Sequence, residues 1–568
     1  MVRNPEFLKL VVSKGMLTEE DTNNLLKKYN GDAYSILTFL VSGSAAKKNE
    51  LGMLWGDSLG VAYIDLSRTM MQHHVVQKLP EQFARTSKMI PVYQFGDVIT
   101  IATSNPGQII ALKEAEKLVS APVSAVFTFT EDIEDAIEIE YKSGSGLTEL
   151  IDKIGMNSLF KGTTKITEDQ IRKLSGDQAV IEFTQGLLLF GVKERASDIH
   201  IEPEEEMVRI RFRIDGALQE RLKLDRVLMA PLISRLKIMA NLDITERRRP
   251  QDGRISLSLT NRSIDFRMSS VPTIFGEKIV LRILGQVEKQ KDVPDLADLD
   301  FSASLFGKLK KIIDAPNGVF FVTGPTGSGK TTTLYAVLKH LNKPIVNIMT
   351  IEDPVEYRLQ GINQVQVNHL INLDFGSALR SFLRQDPDII LVGEVRDMET
   401  AKIAAQAALT GHLVLTTMHT NNALQAVTRL VEIGVEPFLV APSIIAVMAQ
   451  RLVRKICDNC KESYRLTPEQ IEDYFVWDGK SEVSFYRGKG CEQCGQSGYL
   501  GRIAIHELFI MNSEIRRLVS QGASILEVQE SANKSGYKAM RYDGIKKVLR
   551  GLTTIEEIDR VTVAQEEM

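Results

Sequence analysis

The segment FFVTGPTGSGKTTTLYAVL, Phe320 to Leu338, places a glycine-rich turn between an apolar run and a helix-forming run. Gly324, Pro325, Thr326, Gly327, Ser328, Gly329, Lys330 and Thr331 fill the pattern G-x-x-x-x-G-K-[ST] in full, with Thr332 following. Glycines let backbone N–H groups turn toward phosphate oxygens, the lysine reaches the β and γ phosphates, and the threonine hydroxyl ligates Mg²⁺. A chance glycine-rich turn would lack the flanking strand and helix. Here GVFFVT reads as a buried strand, and KTTTLYAVLKHL reads as a helix whose N-terminus favours anions. The chemistry indicated is the gripping of a nucleoside triphosphate with its magnesium.

Three more apolar runs end in polar residues. VNIMTI leads into Glu352-Asp353-Pro354-Val355-Glu356, DIILVG into Glu394, and HLVLTT into Met418-His419-Thr420. Ligands of parallel α/β sheets sit at the carboxyl ends of the strands, so these groups are expected at one edge with the phosphate loop. Glu394 stands where an acid should hold the magnesium shell, directly or through water. Glu356 is the expected general base for water, with Glu352 next in line. His419 is either a sensor of the γ phosphate or a satisfied core histidine.

All four cysteines lie in two pairs, Cys457/Cys460 and Cys491/Cys494, each C-x₂-C, with thirty residues between the pairs. Four thiolates match tetrahedral Zn²⁺, and four protein ligands leave no open position, so a structural zinc is expected. The paired His73-His74 has no further ligand nearby in sequence and reads as surface.

These groups need a large scaffold. With 568 residues the chain exceeds one core, and 43% hydrophobic and 25% charged residues are ordinary for a globular protein. A net charge of -4 argues against nucleic acid as the main partner. The run Arg247-Arg248-Arg249 then reads as an intersubunit or phosphate-facing patch. The longest apolar candidate, Phe438 to Ala449, is 12 residues and contains Pro442, short of the roughly 20 needed to cross a bilayer. No signal-peptide pattern opens the chain, so a cytoplasmic location is expected.

Residues 1–60 read as helical, with a helix start at Thr18, and 61–141 as an α/β segment with strands VAYIDL, MIPVYQFGDVITIATSN and VSAVFTFT. Together 1–141 form an expected N-terminal docking domain. Residues 142–168 read as a flexible linker, 169–290 as a middle α/β domain with five strands, 291–300 as a second linker, and 301–568 as the nucleotide domain carrying the cysteine element at 457–494.

GPTGSGKTTTLYAVL, IEDPVEY, RQDPDIILVGEVRD and TGHLVLTTMHTNNA resemble the Walker A, Asp box, Walker B and His box of the type II/IV secretion superfamily of ATPases. ERASDIHIEP, RFRIDG, RRRPQDGRIS, AQRLVRKIC and GLTTIEEIDRVT resemble it too, so the likeness spans about Asp169 to Thr562. The resemblance implies ATP as the nucleotide, a RecA-like C-terminal domain with a zinc insertion, a PAS-like α/β middle domain and an α+β N-terminal domain. It implies a homohexamer whose domains close on ATP and drive an inner-membrane platform protein. The protein would thus be peripherally associated with that membrane through its partners. Arg267 and Arg282 match the family's arginine-finger positions, and Arg213 and Arg254 are further candidates. Alternating Arg209 and Arg211 read as a solvated face. Both the zinc element and the long N-terminal domain mark assembly and secretion members rather than retraction members. By architecture the likeness is to ATPases of type IV pilus extension. Type II secretion is the alternative, and a nucleic-acid translocase is the rival of a different class.

Some family N-terminal domains bind cyclic di-GMP through paired R-L-G-x-x-L repeats. EFLKLVVSKGMLTEED keeps only the G-x-L-T core and SILTFLVSGSAA is a weak second copy, which argues against that ligand and for docking to a cytoplasmic component of the pilus machine.

Overall fold

The computed structural model describes residues 4–43, 48–66, 69, 71–142, 177–260, 263–284, 293–472, 474–475 and 483–562. The chain divides into two compact units, Met1–Asp292 and Val293–Met568.

The first unit opens with helices Pro5–Ser13, Glu19–Lys28, Ala33–Gly43 and Lys48–Leu59. The second starts at Thr18, where the hydroxyl accepts the Asp21 N–H and the Asp21 carboxylate accepts the Thr18 N–H, a reciprocal capping box. Trp55 anchors this layer, with Phe7 and Tyr34 edge-on to its ring. A three-stranded sheet follows, of β1 (Met89–Phe95), β2 (Val98–Thr103) and β3 (Val123–Phe127), with β1 antiparallel and β3 parallel to β2. The strand expected at VAYIDL does not form. Val61 still bonds back to Gly56 at the end of the preceding helix, and only Tyr63 bridges to Phe127. Helix Thr130–Lys142 ends this part, and residues 143–168 of the expected linker lie outside the described residues.

Helix Gln178–Lys193 leads into β4 (Asp198–Pro203), β5 (Met207–Ile214), β6 (Ala217–Asp225), helix Met229–Met239, β7 (Gln251–Ser258), β8 (Ser263–Thr273) and β9 (Gly276–Leu284). They build an antiparallel sheet in the order β6-β5-β4-β9-β8-β7. The edge strand β6 was hidden by its charged sequence ALQERLKLD, since an edge needs little apolar content. Alternation puts Ile199, Ile201, Ile210, Phe212, Phe266, Met268, Ile279 and Leu281 into one core with the two helices. The opposite face is rich in arginine.

The second unit is built on seven strands. β10 (Gly318–Thr323), β11 (Ile348–Glu352), β12 (Asn363–Gln366), β13 (Ile389–Val392), β14 (Leu413–Met418) and β15 (Ile444–Ile456) run parallel. After the hairpin β16 (Lys461–Tyr464) and β17 (Phe485–Gly488), β18 (Tyr499–Ile510) closes the sheet antiparallel to β15. The order is β12-β11-β13-β14-β10-β15-β18, with apolar cores on both faces. Parallel strands buried on both sides explain the nearly continuous apolar runs of β10, β13 and β14. The apolar stretch Phe438–Ala449 is split between helix Pro437–Ser443 and the start of β15. No helix among the described residues is long and apolar enough to cross a membrane.

Candidate active site

β10 is buried along its whole length and delivers the chain to Gly324. There φ is +147°, and a Cβ would lie 2.4 Å from the Gln450 carbonyl oxygen. At Gly329 φ is +88°, and a Cβ would lie 2.7 Å from Gln450 Nε2. Only glycine fits either position. Helix Lys330–Leu341 then begins with no side chain capping its N-terminus, so its first amides face outward, and Thr331 and Thr332 are exposed on that turn. The buried Ser328 hydroxyl has no hydrogen-bond partner among the described residues. Lys330 Nζ folds over the loop onto the carbonyls of Gly324 (2.7 Å) and Pro325 (3.1 Å). Burial lowers the pKa of its ammonium below the ordinary lysine value, and the Glu394 charge partly offsets this. Uncapped amides, an orphaned hydroxyl, a partly desolvated cation and a cradle that any Cβ would fill together fit a polyphosphate with its magnesium.

The neighbouring strand ends converge as expected. Glu394 follows β13 and pairs with Arg396, while His419 Nε2, beyond β14, lies 3.6 Å from the other Glu394 oxygen. Burial first, and then the Lys330 charge, lower the His419 pKa, so at neutral pH the ring is an uncharged hydrogen-bonding group. Two threonines fix the strand ends. Thr417 Oγ1 donates to Gly393 O at 2.6 Å, and Thr323 Oγ1 donates to Met418 O at 2.9 Å and accepts from Thr420 N at 3.0 Å. Arg396, Thr323, Thr417 and Gln450 were not singled out from the sequence. Arg396 lies within GEVRD, but nothing in its spacing marks a cation two residues from the acid as that acid's partner.

Glu352, the last residue of β11, and Glu356, on the loop after it, differ sharply. Glu352 is buried and accepts hydrogen bonds from Tyr335 OH, Thr350 Oγ1 (2.6 Å) and Gln364 Nε2 (3.2 Å). Burial, followed by the Glu352 charge, raises the Tyr335 pKa far above the ordinary phenol range, so its hydroxyl remains a donor. Glu352 is thus committed to holding the strand end. Glu356 is exposed on the following loop, where the Tyr357 ring packs edge-on against Tyr335 at 5.8 Å.

The candidate arginines belong to the first unit and share one line across its sheet. Register pairs Arg254 with Arg267, Arg267 with Arg282, Arg282 with Asp198, and Asp198 with Arg213. Asp198 is buried, accepts from Arg282 Nε at 3.0 Å and from Ser197 Oγ at 2.8 Å, and lies 3.6 Å from Arg213 Nε. Arg254 pairs with Asp265. Arg267 is exposed and makes no ion pair among the described residues. Arg211 is bound bidentately by Glu202, and Arg209 is shared between Glu202 and Glu204. Arg248 of the three-arginine run is almost fully exposed.

The four cysteine sulfurs converge within 4.8 Å of one another. Cys457–Cys491, Cys460–Cys494 and Cys491–Cys494 are 3.8, 3.9 and 3.7 Å apart. A tetrahedron with Zn–S bonds of about 2.3 Å has edges of about 3.8 Å. Gly498 N and Asn459 Nδ2 donate to Cys494 and Cys491 sulfur at 3.2 and 3.3 Å, bonds that favour thiolates. The donor set fits Zn²⁺ closed on all four sides. His74 is exposed and joins no metal-ligating cluster among the described residues.

A family model described as Type II/IV secretion system protein matches residues 173–560, and one described as MshEN domain matches residues 59–145. The type IV pilus assembly ATPase PilB of Myxococcus xanthus is 39% identical over 556 residues, 97% of each chain. The type II secretion system protein HxcR of Pseudomonas aeruginosa is 42% identical over 489 residues, 85% of this chain and 99% of that one. Among solved structures, the ATPase DotB of Yersinia pseudotuberculosis shares the fold, with a TM-score of 0.50 and 22% identity over 68% of this chain and 94% of that chain.

Proposed function

Because the chain belongs to the type II/IV secretion system ATPase family, its chemistry is ATP hydrolysis, and we propose that it is the motor that extends type IV pili. The observation that carries this reading is the likeness to PilB of Myxococcus xanthus along 97% of both chains, N-terminal residues included. The second reading, a type II secretion motor, is favoured by the slightly higher identity to HxcR, over 85% of this chain. The two readings share their chemistry and differ in partners. Deleting the gene and assaying surface pili alongside secreted enzymes separates them: lost pili with intact secretion supports extension, and the reverse supports secretion. A nucleic-acid translocase would instead show ATPase activity that rises with single- or double-stranded DNA.

In this reading Gly324 to Thr332 hold the phosphates, and Thr331 and Glu394 hold Mg²⁺, which supplies charge neutralisation when bound. Lys330 contacts the β and γ phosphates. Glu356, exposed where Glu352 is buried, orients water and takes its proton. The neutral His419 reports on the γ phosphate through Glu394. Arg267 and Arg282 meet the developing charge on the transferred phosphoryl group, with Arg213 and Arg254 flanking them along the same line. The chain works as a homohexamer on an inner-membrane platform protein, and residues 1–141 dock a cytoplasmic component of the pilus machine. The segments 6–21 and 35–46 depart from the paired R-L-G-x-x-L pattern, which favours a protein partner there, while the match of residues 59–145 to the MshEN domain makes cyclic di-GMP the rival ligand. Zinc is structural: Cys457→Ser releases one zinc per chain and lowers the melting temperature, and metal-free fresh wild-type protein would remove this assignment.

A further inference from the structure

We propose that Gln450 is a positioning residue that locks the Ser328–Gly329 peptide so that the Gly329 N–H points into the phosphate cradle. Gln450 sits on β15, is 2% exposed, and reaches beneath the loop from the strand adjoining β10. Its Nε2 donates to Ser328 O at 2.7 Å, and its Oε1 accepts from Thr333 Oγ1 at 2.8 Å. Ser328 O can only accept, so the amide has one possible orientation. A trans peptide is planar, with its C=O and N–H pointing opposite ways. Tying the Ser328 carbonyl down toward β15 therefore turns the next N–H up, toward the side where the phosphates are held.

The lock is needed because the joints around it are loose. Gly327 and Gly329 flank Ser328 with φ of +79° and +88°, and glycine crosses between backbone regions at little cost. Within the loop, Ser328 N makes only a long 3.3 Å bond to Pro325 O, and the Ser328 hydroxyl makes none. The other side chain that ties the loop is Lys330, on Gly324 O and Pro325 O. Lys330 must leave those carbonyls to meet phosphate oxygens, so it cannot be the permanent pin. Gln450 also accounts for both glycine requirements, since its own carbonyl excludes a Cβ at Gly324 and its amide excludes one at Gly329. One buried residue therefore sets both ends of the cradle.

This inference rests on the nucleotide-binding reading, and the test separates the two. Full-length wild type, Gln450→Met, Gln450→Glu and Thr333→Val are compared for MgATP and MgADP affinity by calorimetry, with melting temperature recorded for each. Losing one oriented donor to a charged phosphate should weaken both nucleotides about 10- to 100-fold in Gln450→Met. Thr333→Val is nearly isosteric, loses only the bond that fixes the amide's rotation, and should weaken them about three- to tenfold. Gln450→Glu supplies a readout that general destabilisation would not move. Its carboxylate cannot donate to Ser328 O, but its protonated form can, and burial raises the pKa of a carboxyl. Relative to wild type at each pH, its MgADP affinity should recover severalfold between pH 7.5 and pH 5.5. Affinities of all folded variants within about twofold of wild type, or a Gln450→Glu to wild-type ratio that stays flat with pH, would overturn the lock. Wild type that fails to bind MgATP would instead remove the nucleotide reading itself.

Discussion

The phosphate cradle and the arginine line both present groups that attract anions, and they are built in opposite ways. The cradle is contiguous in the chain, Gly324 to Thr331, and offers backbone dipoles with a single cation, Lys330. The line is assembled from β7, β8, β9, β4 and β5 and offers side-chain charges, four guanidiniums of which Arg282 and Arg213 meet Asp198 and Arg254 meets Asp265. Dipoles held by the fold cost little to keep unliganded. Like charges facing each other across strands destabilise a sheet. The cradle thus suits steady binding, and Arg267, which makes no ion pair among the described residues, leaves the line a place for further negative charge.

The largest expected effect tests that division directly. Lys330→Ala should abolish measurable MgATP binding and lower turnover by more than about 10³-fold. Arg267→Ala and Arg282→Ala should lower turnover by about 10²- to 10³-fold while leaving MgATP affinity within a few-fold. Equal loss of binding in the arginine variants would break the comparison. One step down, Glu356→Gln should lower turnover about 10²-fold with binding intact. Glu352→Gln should chiefly lower the melting temperature, because it disturbs the bonds from Tyr335, Thr350 and Gln364. Normal turnover in Glu356→Gln would move the base to another group.

The same contrast explains what could be read from the chain. The cradle was legible because its physics is local: two glycines, a lysine and a threonine at fixed spacing between a strand and a helix. The cysteine pairs were legible for a similar reason, since each C-x₂-C turn presents two sulfurs by itself. The ordering of the arginines was not legible. That Arg254, Arg267, Arg282 and Arg213 fall on one line depends on the register of four strand pairs, and no single segment encodes a register. Gln450 was hidden in AQRLVRKIC for the same reason, because its partners Ser328 and Thr333 lie more than a hundred residues earlier. β6 escapes a sequence reading since an edge strand needs few apolar residues, and VAYIDL reads as a strand although only Tyr63 bridges to β3, because apolar content does not encode how far pairing extends.

A smaller effect sharpens the arginine side. Asp198→Asn keeps the shape but removes the charge between Arg282 and Arg213. Their mutual repulsion then rises, the first unit loses stability, and turnover should fall about three- to tenfold with nucleotide affinity unchanged. A rise in melting temperature would mean that the aspartate's burial cost exceeds what its ion pairs return.

The smallest effect compares the two units through pH. Each holds one glutamate at about 2, well below the usual carboxylate range. Burial opposes ionisation in both, but Arg211 and Lys278 outweigh it at Glu202, and Arg560 and Arg454 outweigh it at Glu557. At Glu557 the grip is dense: Arg454 Nε and Nη2 at 3.0 and 2.7 Å, Arg454 N at 2.8 Å, and Arg560 Nε and Nη2 at 2.9 and 2.8 Å. A folded pKa below the unfolded value of about 4.5 stabilises the fold above pH 4.5, and that contribution fades as pH falls toward 2. Allowing for solvent screening, Glu557 should contribute about 2 kcal/mol at neutral pH. Urea midpoints should therefore be flat from pH 7 to 5.5 and fall below pH 4.5. Glu557→Gln should start lower at neutral pH and fall less steeply, whereas Glu202→Gln should alter only a transition of the first unit. Parallel pH profiles for Glu557→Gln and wild type would show that the arginines around Glu557 hold the chain in place without holding its charge.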